Sequence, residues 1–446
     1  MNETITHIFD MNETEINNFV QTHIKIKKTE KDKYGEVFTN PILIDKILDL
    51  FPKNLWNNHK LTWLDPACGV GFIIIHIYLR LMKGLKQWEP NNTKRSNHII
   101  ENMLFMVELN KQNCIICRKL FGNKANIFCG NFLDHDIFEK NKQQKQQLLF
   151  NCIAGNPPFQ NNHEPAKNGK RINGGKSKLY ELIFLKSHNL LENKGHLAFI
   201  VPDNIFAGNG SPSYKTIIEN SIPFVSFNPE NQKTFQKIQQ PVCYFILHKV
   251  KPNKHTTIEH DDKLTFKLQL LDRPVNPIRN WTPYTEKLIK KFVSSQRNSA
   301  VYNRGKNISN YTGSKFNIIY TKDKLLQSNK KEDAVAHGIK KIVLFSISPD
   351  LDFQMDYSGE FGVGPNTFYI PFDNHSKGKK LEKFFTSDEY KILANSTKTS
   401  RQFLKIALIE HLKLTKIMET TNSTKKIKQH VRHKNRNTRK KSRNNT

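Results

Sequence analysis

In the first part of the chain, four short apolar segments are each followed by a glycine or by a polar residue. They cover residues 61–64, 103–107, 125–129 and 151–155. Short apolar runs separated by stretches long enough for helices predict strands that alternate with helices. This alternation favours an α/β fold, a Rossmann-like sheet with helices on both faces. The carboxyl ends of parallel strands line one crevice, so the residues after the four segments are candidates for a common site.

The first apolar segment leads into a turn that is rich in glycine. Asp65, Ala67, Gly69 and Gly71 lie between that segment and the apolar run 72–79, which predicts a helix. Glycine lets a backbone approach a ligand closely, and nucleotides usually bind at such a strand-to-helix crossing. The turn lacks the third glycine of a dinucleotide fingerprint and the Gly-Lys-Ser/Thr of a P-loop. An ordinary strand-to-helix connection is the alternative.

The second segment is followed by an acidic residue, Glu108. A carboxylate at this place, some tens of residues after the glycine turn, can accept hydrogen bonds from ribose hydroxyls. A solvated carboxylate at a strand end is the alternative.

The fourth segment is followed by Asn156, Pro157, Pro158 and Phe159. The prolines fix φ and remove two backbone donors, and the residue before each proline avoids the helical region. Such a stiff turn could hold the Asn156 amide oxygen, the Pro157 carbonyl and the Phe159 ring against a flat, amino-bearing ring. Two pre-placed acceptors would favour the pyramidal amine that forms as its nitrogen attacks, and the ring would fix the orientation. On these four residues alone, a rigid turn with a core phenylalanine fits equally well.

Together the two motifs resemble those of the gamma class of S-adenosylmethionine-dependent DNA adenine-N6 methyltransferases. The resemblance covers roughly residues 30–250. It implies that residues 65–71 form the cofactor loop and that residues 156–159 form the catalytic motif. It also implies that Glu108 binds the cofactor's ribose, and that Thr39 belongs to an extra cofactor motif, although Asn40 intervenes before the usual proline.

Two further roles follow from the resemblance alone. Asn131 stands where the family often has an aspartate that accepts a bond from the cofactor's adenine amine. An amide oxygen can accept the same bond without charge assistance, so we expect weaker cofactor binding rather than its loss. An aromatic residue downstream would stack on the second face of the target adenine, opposite Phe159; Phe235 is the candidate, with a core aromatic as the alternative.

The net charge of +30 and the pI of about 9.7 favour a polyanionic partner. The resemblance makes this partner double-stranded DNA and leaves open a separate restriction endonuclease. Asp350 and Glu389 do not form a nuclease cluster, because Glu389 lies in a stretch that predicts a helix. Methylation of RNA or of a protein glutamine amide, and an inactive DNA-binding module, are the alternative functions.

The length suggests two or three domains. We predict a helical lead-in at residues 1–30, a catalytic domain at 31–250, a smaller mixed domain for DNA target recognition at 255–420 and a disordered basic tail at 421–446. Strands are predicted at 342–347 and 367–370 and helices at 381–385 and 403–412, with Arg401 and Gln402 as possible DNA contacts.

The six cysteines are scattered and predict reduced thiols in an intracellular protein, cytoplasmic or nuclear. The N-terminus has no apolar core of a signal peptide, and no apolar run is long enough to span a bilayer. Cys114 and Cys117 have zinc-like spacing, but no second cysteine or histidine pair follows, so no metal site is predicted.

Overall fold

The computed structural model describes residues 7–11, 14–16, 18–19, 40–134, 148–159, 178–208, 211–228, 241–261, 264–298, 302–303, 313–346, 348, 350–365, 367–398 and 406–419. The chain divides into two compact units, Met1–Pro283 and Tyr284–Thr446. Several predicted features lie outside the described residues: Thr39, Phe235, Arg401, Gln402 and the tail 421–446.

The first unit is built on one nine-stranded sheet in the order β3-β2-β1-β4-β5-β7-β6-β8-β9. Neighbouring strands from β3 to β5 are parallel, whereas β7 is antiparallel to both β5 and β6. The strands are β1 (Trp63–Asp65), β2 (Leu104–Glu108), β3 (Asn126–Cys129), β4 (Phe150–Gly155), β5 (Leu191–Pro202), β6 (Ser221–Ser226), β7 (Val242–His248), β8 (Thr256–Asp261) and β9 (Leu264–Leu268).

Helices precede β1 and lie between later strands of the sheet. They are α1 (Pro41–Leu48), α2 (Phe72–Gly84), α3 (Asn92–His98), α4 (Lys111–Phe121), α5 (Leu179–Leu190) and α6 (Pro212–Glu219). The Asn110 side chain caps α4 by accepting from the Gln112 N–H, and the helix ends at Gly122, whose φ is +82°. The strand order runs one way from β1 to β3 and the other way from β4 to β5. Right-handed crossovers therefore put α2 and α4 on one face and α5 on the other, which confirms the predicted Rossmann-like fold.

The central strands are buried on both faces. All three residues of β1 are buried, and α2 packs a run of isoleucines, Ile73, Ile74 and Ile75, into the same core. Full burial of such a side chain stabilises the fold by roughly 1.5–3 kcal/mol. Strands covered on both faces read as continuous apolar runs, which is why the sequence predicts them clearly.

The first unit extends beyond residue 250, where the sequence analysis placed a boundary. Strand β8 pairs in parallel with β6 and continues the same sheet, and β9 follows it. The segment after β9 packs back on the unit: Arg279 Nη1 lies 2.6 Å from Asp203 Oδ2 in an ion pair, and the Trp281 ring stacks on Phe227. Because these contacts tie residues 256–283 to the sheet, the compact unit ends at Pro283.

The second unit is mixed, as predicted for the smaller domain. It contains a four-stranded sheet in the order β10-β16-β13-β14 and a three-stranded sheet in the order β12-β11-β15. Its elements are β10 (Tyr302–Asn303), β11 (Phe316–Thr321), β12 (Lys324–Ser328), β13 (Lys341–Phe345), β14 (Phe353–Asp356), β15 (Gly362–Val363), β16 (Thr367–Pro371), α7 (Pro283–Phe292), α8 (His375–Phe385), α9 (Asp388–Thr397), α10 (Ile406–Glu410) and α11 (Leu414–Glu419).

One ion pair in the second unit is fully buried. Lys341 Nζ donates to Asp356 Oδ2 (2.5 Å) and to the carbonyl oxygens of Ile339 (2.9 Å) and Phe361 (2.6 Å). The second oxygen of Asp356 accepts from the Gly359 N–H at 2.7 Å. A buried pair is tolerated when its remaining donors and acceptors are satisfied in this way.

Cys114 and Cys129 form a disulfide, with Cα atoms 6.1 Å apart, so the prediction of reduced thiols is wrong for this pair. The reason is the sheet register: β3 pairs with β2, which places Cys129 beside Glu108 and close to the start of α4. Cys68, Cys117, Cys152 and Cys243 carry free thiols. Among the described residues, no helix is long and apolar enough to cross a membrane.

Candidate active site

The turns that follow β1, β2, β3 and β4 meet at one edge of the sheet. The registers Asp65↔Met106, Glu108↔Cys129 and Leu64↔Ile153 bring these strand ends side by side. Between β1 and β4 the strand order reverses, and a crevice opens at such a point in an α/β sheet. The structure therefore brings the glycine turn, Glu108, Gly130 and Asn156 to one edge.

Hydrogen bonds between backbone groups stabilise the glycine turn. The Cys68 N–H donates to the Val107 carbonyl at 3.0 Å, and the Gly71 N–H donates to the Cys68 carbonyl at 2.9 Å. Gly69 and Gly71 have φ of +60° and +87°, values that side chains disfavour. A Cβ on Gly69 would meet nothing within 4 Å, whereas one on Gly71 would lie 3.2 Å from Phe121 and 3.5 Å from Cys117 Sγ. Gly69 thus leaves open space above the turn, and Gly71 allows close packing on α4.

Glu108 organises the turn. Its Oε2 accepts from the Gly69 N–H at 2.8 Å, and its Oε1 accepts from the Asn110 N–H at 2.7 Å and from Asn113 Nδ2 at 3.3 Å. Glu108 therefore links the glycine turn after β1 to the residues at the start of α4.

Asp65 lies beneath the turn and is buried. Its Oδ1 accepts from the Ala67 N–H at 3.0 Å, which bends the chain directly after β1. Burial, together with a smaller effect of the Glu108 carboxylate, raises the pKa of Asp65 to about 7 against the lowering effect of the Ala67 bond. The edge of the sheet thus carries two acidic side chains, one of which titrates near neutrality.

The turn after β4 lies against the glycine turn at Gly155. A Cβ on Gly155 would lie 3.1 Å from Pro66 Cδ, 3.2 Å from Asp65 Oδ1 and 3.3 Å from Phe199 Cε1. These distances are shorter than ordinary van der Waals contact, so the two loops approach each other as closely as they do because residue 155 has no side chain.

The turn 156–159 has a mixed exposure. Asn156 is half-buried, Pro157 is buried, and Phe159 is buried against Tyr180 of α5. The two rings meet edge to face with centroids 6.4 Å apart. An edge-to-face partner fixes the plane of the Phe159 ring, which a stacking platform requires.

Asn131 lies in the turn after β3 and is exposed. Its Oδ1 accepts from the Leu133 N–H at 3.1 Å, and its Nδ2 donates to Asp134 Oδ1 at 3.2 Å. The predicted acceptor oxygen already shapes its own turn but can accept a second bond. A Cβ on the preceding residue, Gly130, would meet nothing within 4 Å, so space is open there as well.

Sequence reasoning missed four residues that support this site. Gly155 ends an apolar strand without any signal of its close contacts. Tyr180 belongs to a predicted helix, but its contact with Phe159 depends on tertiary packing. Cys117 and Phe121 lie four residues apart on one face of α4, and this spacing could have identified them as the surface beneath Gly71.

The chain is similar to known methylases over a region that includes the turn 156–159. Residues 74–235 match the model of a family described as Eco57I restriction-modification methylase. The chain is similar to an uncharacterized adenine-specific methylase of Mycoplasma pneumoniae, with 26% identity over 291 residues, which is 47% of this chain and 66% of that protein. It is also similar to the modification methylase CviBIII of Paramecium bursaria Chlorella virus NC1A, with 27% identity over 228 residues, or 50% of this chain and 52% of that protein.

Among solved structures, the type IIL restriction-modification enzyme MmeI in complex with DNA has a similar fold. The TM-score is 0.50 at 12% identity, and the match covers 91% of this chain and 67% of that one. The chain spans 66% and 52% of the lengths of the two methylases above. These comparisons confirm the resemblance to adenine-specific methylases, whereas the gamma class and the individual site residues stay predictions.

Proposed function

We propose that this chain is an S-adenosylmethionine-dependent DNA methyltransferase that acts on the N6 amine of adenine. One observation carries the proposal: the Gly155 backbone, directly before Asn156, packs against Asp65 and Pro66 of the glycine turn. A methyl donor in the turn and an amine held by Asn156 would therefore lie side by side. The match to the restriction-modification methylase model and the two methylase relatives support this reaction class.

The residues at the crevice fit the cofactor. Open space over Gly69 and Gly130 leaves room for a ligand to approach the backbone. In the proposal, Glu108 accepts from ribose hydroxyls, Asn131 accepts from the adenine amine, and the negative charge of Glu108 suits a cationic ligand. When bound, S-adenosylmethionine supplies an electrophilic methyl group. The proposed contribution of Thr39 lies outside the described residues.

The chain itself holds the target base. An adenine inside a duplex is unreachable, so the base is flipped out of the stack. We assign the Asn156 Oδ1 and the Pro157 carbonyl as acceptors for the two amine hydrogens, and the Phe159 ring as the platform beneath the base. Fixed acceptors cost no reorganisation as the amine becomes pyramidal, and this favours attack. The second wall, assigned to Phe235, lies outside the described residues.

Replacement of the amide acceptor tests the proposal. Asn156→Ala is expected to abolish methylation of unmethylated DNA while cofactor affinity, measured by calorimetry, stays near that of the wild type. Asn123→Ala, an exposed asparagine beyond the far end of α4, is the matched control and should keep full activity. Near wild-type methylation by Asn156→Ala would refute the role of this residue. Labelling of RNA or of a protein extract, but not of DNA, would favour the alternative substrates.

A further inference from the structure

The second unit presents a two-stranded antiparallel ribbon at the edge of its three-stranded sheet. We call residues 313–331 the basic ribbon; it comprises β11, β12 and their flanking residues. In the order β12-β11-β15, strand β12 has a neighbour on one side only. A hydrophobic residue, Ile319, anchors the ribbon in the core formed with Val343 and Val363. The ribbon is thus fixed at its centre and exposed along its outer edge.

The charge of the basic ribbon is strongly positive. It carries five lysines, Lys315, Lys322, Lys324, Lys330 and Lys331, against a single acidic residue, Asp323, and all six are exposed. Lys322 pairs with Asp352 of a neighbouring loop at 2.9 Å. Lys315 and Lys324 lie over the rings of Phe316 and Tyr320, each 5.7 Å from the centroid. These ring contacts place two of the ammonium groups along the ribbon.

Two amide side chains face each other across the ribbon. Asn317 and Gln327 are directly opposite in register, both are exposed, and Gln327 Nε2 donates to Asn317 Oδ1 at 3.0 Å. This bond leaves Asn317 Nδ2 as a donor beside Gln327 Oε1 as an acceptor. A neighbouring donor and acceptor match the N7 acceptor and N6 donor that adenine shows in the major groove. The hydrogen bond from Gln327 to Asn317 orients both amides before any ligand binds.

We infer that the basic ribbon enters the major groove of duplex DNA, where Asn317 and Gln327 contact base edges and Lys315 and Lys324 contact phosphates. A two-stranded ribbon has the width that the major groove admits. Lysines on an edge strand also discourage strand pairing between proteins. That protective role explains the charge but not the pre-oriented amide pair. The inference rests on the proposed function, because it assigns the specificity of that same enzyme to one element of the second unit.

Two variants test the two contributions separately. The Asn317→Ala/Gln327→Ala variant is expected to lower the preference for the cognate sequence by about 5- to 150-fold, the discrimination of one good bidentate contact. The Lys315→Gln/Lys324→Gln variant is expected to weaken binding to all sequences alike. Its slope of log affinity against log salt concentration should become shallower by about two, since each phosphate contact contributes about 0.9.

The matched control is Lys287→Gln/Lys391→Gln, which removes the same charge from exposed positions on α7 and α9. It should change the salt slope by less than one. Fluorescence anisotropy with duplex DNA gives the slopes, sequencing of methylated DNA gives the site preference, and calorimetry checks that cofactor affinity is unchanged.

The outcomes separate this inference from the proposed function. If the wild type methylates DNA and both ribbon variants keep its site preference and salt slope, the ribbon does not contact DNA. If the lysine variant behaves like the control while the amide variant loses specificity, the phosphate contacts are refuted and the base contacts stand. A wild type that neither binds nor methylates DNA refutes the proposed function, and this inference with it.

Discussion

The Gly155→Ala variant should slow methyl transfer without abolishing the binding of cofactor or DNA. The new Cβ would lie 3.1–3.3 Å from Pro66, Asp65 and Phe199, so each neighbour must give by a few tenths of an ångström. The three neighbours belong to the glycine turn, the end of β1 and β5, and the glycine turn must therefore move relative to the turn 156–159. The crowding costs about 1–3 kcal/mol of stability.

The effect on rate follows from alignment. A misplacement of about 1 Å can cost about 100-fold in rate, so a shift of a few tenths of an ångström should lower kcat roughly 3- to 10-fold. Cofactor affinity and the KM for DNA should change little, because the groups that would contact each ligand remain. The assay is steady-state methylation of duplex DNA, with kcat and KM determined for folded enzyme counted by cofactor binding.

Gly84→Ala is the matched control. A Cβ there would lie 2.2 Å from the Trp56 carbonyl oxygen, so this variant is also destabilised. Gly84 ends α2, twelve residues and about 18 Å along the helix from the glycine turn. Its kcat per folded molecule should equal that of the wild type. An unchanged kcat in Gly155→Ala, or an equal loss in Gly84→Ala, would refute the alignment argument.

Three further predictions concern buried charge. Because the pKa of Asp65 is raised to about 7 in the folded chain, ionisation opposes folding, and stability should fall as pH rises from about 4 to 7; Asp65→Asn should flatten this slope in denaturant titrations. Burial, and to a smaller extent the stacked His248 ring, lowers the pKa of His196 to about 4. The free energy of unfolding should therefore fall by about 1–2 kcal/mol as pH drops from about 6.5 to 4, after allowance for the partial exposure of the ring. His196→Gln should remove that loss. Lys341→Met leaves the Asp356 carboxylate buried without its cation and should cost about 3–5 kcal/mol, measured as a lower midpoint of unfolding; a midpoint like that of the wild type would contradict this.

The sequence predicts the centre of the first sheet well and its edge poorly. Strands β1, β2 and β4 are covered on both faces and therefore read as continuous apolar runs. Strand β9 is largely exposed and carries no such signal, so residues 256–283 were assigned to the second domain. Pattern reasoning identifies elements from their burial and cannot recognise a strand that owes its existence to pairing with its neighbour.

The site is predictable in its parts but not in its contacts. Asn156, Gly69 and Glu108 stand out because their residue types and spacing match known chemistry. The hydrogen bond from the Gly69 N–H to Glu108 and the contact between Phe159 and Tyr180 arise from adjacency in three dimensions. The Cys114–Cys129 disulfide was missed for the same reason, since only the register of β2 and β3 brings it together.

The pairing of the short strand β1 affects how the chain folds during synthesis. Its three residues are held on one side by β2 and on the other by β4, and the Thr62 N–H reaches Asn151 across 89 residues of sequence. Closing loops of this length is slow, because chain entropy is lost before the contacts form. Until β4 has been synthesised, β1 has no neighbour on one side and is exposed to water there. Ability to bind the proposed cofactor at the glycine turn should therefore arise late in synthesis, in one step, when β4 pairs with β1.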